Sequence, residues 1–236
     1  MNKILILLLL TANMYSQNTC GTVLYSTKIL PKKFKKNDSI NSNALIISDI
    51  IPILKKGIEK KFLLEFCDSV SLQKDYLELD NNPSQLNFSN SNSEKLYSNT
   101  NQKKYLKEID FIGKIFLIND NIPNYSWKIH TDSTKIILGH KCTKAIYIND
   151  KQQTITAWFT PNIKNSFGPK LYMGLPGLIL ELNDGFMSYI SLEIDLKKRI
   201  TIEPLTKGKI VTQKEFNIIV EKKKLEMVGY KDINFE

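Results

Sequence analysis

The chain has 236 residues, 42% hydrophobic and 10% aromatic, with a formal net charge of +9. That composition excludes an intrinsically disordered chain and suits a single domain with its own core. The positive charge is nearly all lysine, scattered in Lys-Lys pairs, with Arg199 the single arginine. Nucleic-acid readers lean on arginine for bidentate contacts, so the charge reads as a solvated surface and no nucleic-acid partner is expected.

Lys3 followed by the apolar run Ile4 to Leu10 has the pattern of a signal peptide over residues 1–16, with cleavage after Ser16. The run is shorter than the roughly 20 residues a membrane-spanning helix needs. No later stretch is longer, so the mature chain is expected to have no transmembrane span. The protein is expected to be exported, to the periplasm, the outer membrane or the exterior. Residues 17–236 are expected to form one β-rich domain.

Within it, Gly21 to Leu30 reads as a strand, and Pro31 to Ser39 as a Lys-rich loop. Ala44 to Ile58, interrupted by Pro52, reads as a short helix. Lys61 to Cys67 and Val70 to Leu79 read as strands. Asn81 to Thr100 is dominated by Asn and Ser and is predicted to be a mobile surface loop. Phe111 to Ile118 reads as one strand. Trp127 to His130 and Lys135 to Leu138 read as a hairpin about the polar residues 131–134. Cys142 to Ile148 and Thr154 to Thr160 read as strands joined by the turn Asn149-Asp150-Lys151. Short polar turns between successive strands imply an antiparallel meander. Pro176-Gly177 suits the centre of a type II turn leading into a strand at Leu178 to Leu182. Asp184-Gly185 turns the chain into Phe186 to Leu196. Gln213 to Met227 reads as a helix with a Thr212/Glu215 capping box, a buried stripe of Phe216, Ile219, Val220 and Leu225, and a stop at Gly229. The expected fold class is α+β: a curved, mainly antiparallel sheet with a C-terminal helix packed on it. Trp127, Trp158, Phe159 and Leu178 are expected in one core.

The candidates for chemistry are few. His130 and His140 are the two histidines. Alternation places His140 and Cys142 on one strand face, but a zinc site needs three or four protein ligands and no others stand at a readable spacing. No metal or cofactor is expected. The chain has no Gly-x-Ser-x-Gly elbow, Walker loop or dinucleotide fingerprint. Glu181 and Asp184 read as solvated rather than as a catalytic carboxylate pair, and Cys142 as a packed strand residue. No catalytic residue is assigned. With three cysteines, Cys20, Cys67 and Cys142, at most one internal pair can form. Cys67 and Cys142 both fall in predicted strands, which leaves either a disulfide between them or two buried free thiols.

The segment Gly174-Leu-Pro-Gly-Leu-Ile179 resembles the hexapeptide that names the GLPGLI family of exported Bacteroidetes proteins. Trp127, Gly139-His-Lys-Cys-Thr-Lys-Ala145, Ala157-Trp-Phe-Thr160 and Gly168-Pro169 are similar to further family motifs in the same order. His140 departs from the family's usual Tyr. The resemblance implies export, a single β-rich domain, frequent company with outer-membrane receptor systems, and no established activity. The hexapeptide itself has no nucleophile, acid, base or metal ligand. It reads either as a tight apolar corner entering a core strand or as a hydrophobic lip, with Trp158, Pro169, Leu175, Pro176 and Leu178 as contact residues. The expected function is that of a non-catalytic, monomeric envelope protein that holds a hydrophobic ligand or docks an outer-membrane partner. A secreted hydrolase of unrecognised type is the alternative.

Overall fold

The structure, a computed structural model, describes residues 20–30, 60–76, 94–197 and 199–227. The expected signal peptide, the loop at 31–39, the helix at 44–58 and the stop at Gly229 lie outside them. The described residues form twelve strands in one sheet, ordered β12-β6-β5-β4-β3-β2-β1-β11-β10-β9-β8-β7. The strands are β1 (Cys20–Ile29), β2 (Lys61–Cys67), β3 (Val70–Asp75), β4 (Glu94–Asn99), β5 (Lys104–Phe111), β6 (Lys114–Asn121), β7 (Lys128–Ile137), β8 (His140–Ile148), β9 (Thr154–Thr160), β10 (Leu178–Asn183), β11 (Met187–Lys197) and β12 (Lys209–Val211). One helix, α1 (Gln213–Met227), follows. The described fold is therefore largely β rather than α+β. Every pairing is antiparallel except that of β12 with β6.

Two meanders, β1 to β6 and β7 to β11, meet along the β1–β11 seam, where Cys20 pairs with Lys197 and Ile29 with Met187. Residues 122–127 connect β6 to β7, which stand second and last in the sheet order. Ten strand spacings would separate them by ~48 Å in a flat sheet. The step from Asn121 to Lys128 reaches about 25 Å at full extension. The sheet must therefore curl until its ends approach, although among the described residues no strand pairs with the outer edge of β12 or β7. Ile122 in the connection packs against both hydrophobic clusters of the molecule.

The inside of the curl is filled. Residues 161–177, between β9 and β10, send Ile163, Phe167, Met173 and Leu175 into a core shared with Val23, Leu64, Phe66, Phe159 and Leu182. Hydrogen bonds to the opposite meander hold this plug. Gln73 donates to the Lys170 carbonyl at 2.6 Å and accepts from the Lys170 N–H at 2.8 Å. Asn165 donates to the Asp68 carbonyl at 3.3 Å. Lys170 Nζ reaches Glu94 at 3.2 Å. Burial alone would raise the Glu94 pKa, but Lys170 and Lys107 outweigh it and hold the carboxyl below its usual range. Trp127 Nε1 donates to the Met173 carbonyl at 2.9 Å, tying the β6–β7 connection to the plug.

Within the sheet and its disulfide, four further expectations change. Residues 94–99 of the expected 81–100 loop form β4, with Leu96, Tyr97 and Ser98 buried between β3 and β5. Phe111 to Ile118 is not one strand, because Ile112-Gly113 turns β5 into β6. Residues 128–137 are one strand with an irregularity between His130 and Thr134, and its hairpin turn falls at Leu138-Gly139. The disulfide joins Cys20 to Cys67 and not Cys67 to Cys142. Gly21 pairs with Phe66 across β1 and β2, which brings Cys20 and Cys67 face to face at the end of that ladder. Cys142 is a buried free thiol.

Candidate functional site

At the β12 end of the sheet, α1 packs over β6 and leaves a groove beside the β5–β6 turn. The helix start is firmly fixed. Thr212 and Glu215 form the expected capping box: the Thr212 N–H donates to the Glu215 carboxylate at 2.6 Å, and the Glu215 N–H donates to Thr212 Oγ1 at 3.2 Å. The Gln213 N–H donates to Asp120 at 3.1 Å, and the Tyr105 hydroxyl donates to Gln213 Oε1 at 3.2 Å. Burial first, then the Asp120 charge, pushes the Tyr105 pKa up to about 12. Phe216 stands edge-on to Phe111 and Phe116, with centroids 5.7 and 5.4 Å away. Ile219 and Val220 pack on the same cluster, whereas Leu225, expected in the buried stripe, is exposed. Strand β12 can lie on β6 because Gly208 has no side chain: a Cβ there would sit 2.9 Å from the Phe116 carbonyl carbon.

One turn beyond Phe216 the helix and sheet border an open groove of about 380 Å³. This is within the range of small-molecule sites, about 300–1,000 Å³. Its apolar wall is Phe111, Ile112, Phe116 and Ile219; Lys114, Lys209 and Lys223 also line it. Ile112 has φ +55° and Gly113 φ +71°. Such a turn favours Asn or Gly at its first position, and a β-branched residue there is strained. Ile112 is nonetheless 58% exposed, with its side chain on the groove. No sequence signal marked this site. An Ile between two apolar runs reads as strand, which concealed the turn.

The residues expected to contact a ligand lie elsewhere. Leu175 and Leu178 are fully buried, and Pro169 is buried, so they present no lip. Pro176 is exposed, and Trp158 is half-buried with Lys135 Nζ 4.4 Å from its ring centroid. Trp127 is half-buried too, whereas Phe159 and Leu178 reach the core. The hexapeptide is a corner, but not a type II turn. The Gly177 N–H donates to the Leu175 carbonyl at 2.8 Å, closing a γ-turn over Pro176. Glycine is required at 177 by close approach: a Cβ would stand 2.2 Å from the Thr160 carbonyl oxygen. The Tyr25 hydroxyl donates to the Ile179 carbonyl at 2.5 Å, next to the bulge that leaves Leu180 unpaired with β9.

The two carboxylates weighed for chemistry have structural employment. Lys135 binds Glu181 at 2.7 Å. Asp184 accepts from the Phe186 and Met187 N–H groups at 2.9 and 2.6 Å. Burial pushes the Cys142 thiol up to about 11, so it is protonated and unreactive at neutral pH. Among the described residues, one cluster has three potential metal ligands, Cys20, Cys67 and Asp68, and its two thiols are joined in the disulfide. No described helix is long and apolar enough to cross a membrane.

Comparison with curated proteins gives no match. A family model described as "Protein of unknown function (Porph_ging)" matches residues 148–181, from the end of β8 through the hexapeptide into β10. Solved structures of PNGF-II in the P21 and C2 space groups are similar over 86% of this chain, at 14% identity and TM-scores of 0.57 and 0.55. The chain spans 33% of the length of those chains. This chain is thus similar in sequence to a family of unknown function over its β8–β10 segment, and similar in fold alone to one third of PNGF-II.

Proposed function

We propose that the protein is an exported, non-catalytic binding protein of the cell envelope that holds a hydrophobic ligand in the groove between α1 and the β5–β6 turn. The observation that carries this reading is the open groove of about 380 Å³ walled by Phe111, Ile112, Phe116 and Ile219. The strained, exposed Ile112 supports it, because strain of this kind collects at ligand sites. The plug fills the concave face of the sheet, so the groove lies outside the main core. Export rests on the apolar run behind Lys3 and on the resemblance to the GLPGLI family at residues 174–179. The test is titration of the full chain with the neutral fluorescent probe N-phenyl-1-naphthylamine. Saturable binding that weakens in Ile112→Asp is expected. No saturable binding, or binding indifferent to that substitution, would overturn the reading.

A second reading, docking of an outer-membrane partner, has its own support. Strand β7, last in the sheet among the described strands, and its turn expose Ile129, Ile136 and Leu138 along an edge that no described strand pairs. Ile136→Lys should then abolish co-purification of one outer-membrane protein while leaving probe binding unchanged. Co-purification that survives Ile136→Lys would sink it.

A further inference from the structure

We infer that the groove's ligand is an anionic amphiphile: a single hydrocarbon chain lying on Phe111, Phe116 and Ile219, with a carboxylate or phosphate head among Lys114, Lys209 and Lys223. This rests on the groove being the ligand site. Three separate elements each bring one lysine to its lining, at the start of β6, at the start of β12 and in the third turn of α1, and among the described residues no carboxylate lines it. A purely apolar ligand gains nothing from these charges. An anion relieves their mutual repulsion and meets charge-assisted donors. Lysine suits the task, because its flexible stem covers apolar wall while its point charge accepts either head without a fixed orientation. Lys223 is also paired with Glu226, at 2.5 Å, but both side chains are close to half exposed. An exposed pair of this kind exchanges readily for a ligand head.

The test displaces N-phenyl-1-naphthylamine from the full chain with four ten-carbon amphiphiles: decanoate, decyl phosphate, decanol and decyltrimethylammonium. The two anions should displace the probe at roughly tenfold lower concentration than decanol, and the cation should be weakest. The double variant Lys114→Gln, Lys209→Gln alters two exposed side chains and, with each amphiphile referenced to that variant's own probe affinity, should erase that preference. High salt should shrink the preference in the unaltered chain. Decanoate stronger than decyl phosphate points to a fatty-acid source, and the reverse to a phospholipid source; either supports the inference. Probe binding with equal displacement by decanol and decanoate, or a preference that survives in the double variant, overturns the charge inference alone. Absence of probe binding overturns both readings.

Discussion

Ile112 occupies a position that its own side chain disfavours. Left-handed backbone costs an ordinary L-residue about 1–2 kcal/mol, and Asn tolerates it best. Ile112→Asn should therefore stabilise the fold by about 1 kcal/mol while weakening probe binding, a trade-off read from a denaturant melt and a titration on the same sample. Loss of stability in that variant would place the turn's value in packing rather than ligand contact. Gly177 shows the opposite economy of space. The Thr160 backbone lies where its Cβ would be, so Gly177→Ala should destabilise by at least ~2 kcal/mol. Gly185 has φ +87° and open space about it, so Gly185→Asn should change the unfolding midpoint little. The sequence announced that glycine mattered at 177, and its φ is positive, but the close contact with the Thr160 backbone appears only when β9 is alongside. Likewise Trp127 and Trp158 read as core and prove half-buried, because one donates to a plug carbonyl and the other faces Lys135.

Among the elements, those governed by local chemistry were the legible ones. The bounds of β2 and β9 and the capping box of α1 follow from alternation and from Thr212 and Glu215. The box makes the helix sensitive to acid. The Thr212 N–H and hydroxyl hold the Glu215 carboxyl below its usual range. A depressed folded pKa means that the contribution is complete above the ordinary carboxylate value and lost as pH falls through the folded one. Hydrogen exchange at the first turn of α1 should therefore quicken below about pH 4, and Thr212→Ala should remove that pH dependence. A first turn whose protection ignores both would show the box to be idle. Strand β4 was illegible for a different reason. Asn and Ser dominate its approach, and buried Ser71 and Ser98 face each other across β3 and β4 where the sheet's own ladder decides the conformation. The plug was equally hidden, since Gly and Pro mark a turn locally and say nothing of what the turn fills.

For the whole molecule, the thiol pattern is a direct readout of topology. Alkylation after denaturation without reductant should label Cys142 alone, and reduction should release Cys20 and Cys67. Labelling of Cys67 without reductant would contradict the β1–β2 ladder. The bond closes a loop with a sequence separation of 47, which corresponds to about 4 kcal/mol by chain entropy. Its placement bears on how the protein is made. The β1–β11 seam in mid-sheet joins residues such as Cys20 and Lys197, so the central pairing waits for almost the entire chain. Contacts of such sequence separation form slowly. A chain emerging from its N-terminus can complete the first meander early and then holds β1 as a bare edge, the kind of surface that recruits strands from other chains. The disulfide lies within that first meander. In an oxidising compartment it locks β1 to β2 in register before the seam partner arrives, so refolding under reducing conditions should lose yield to aggregation in addition to that stability.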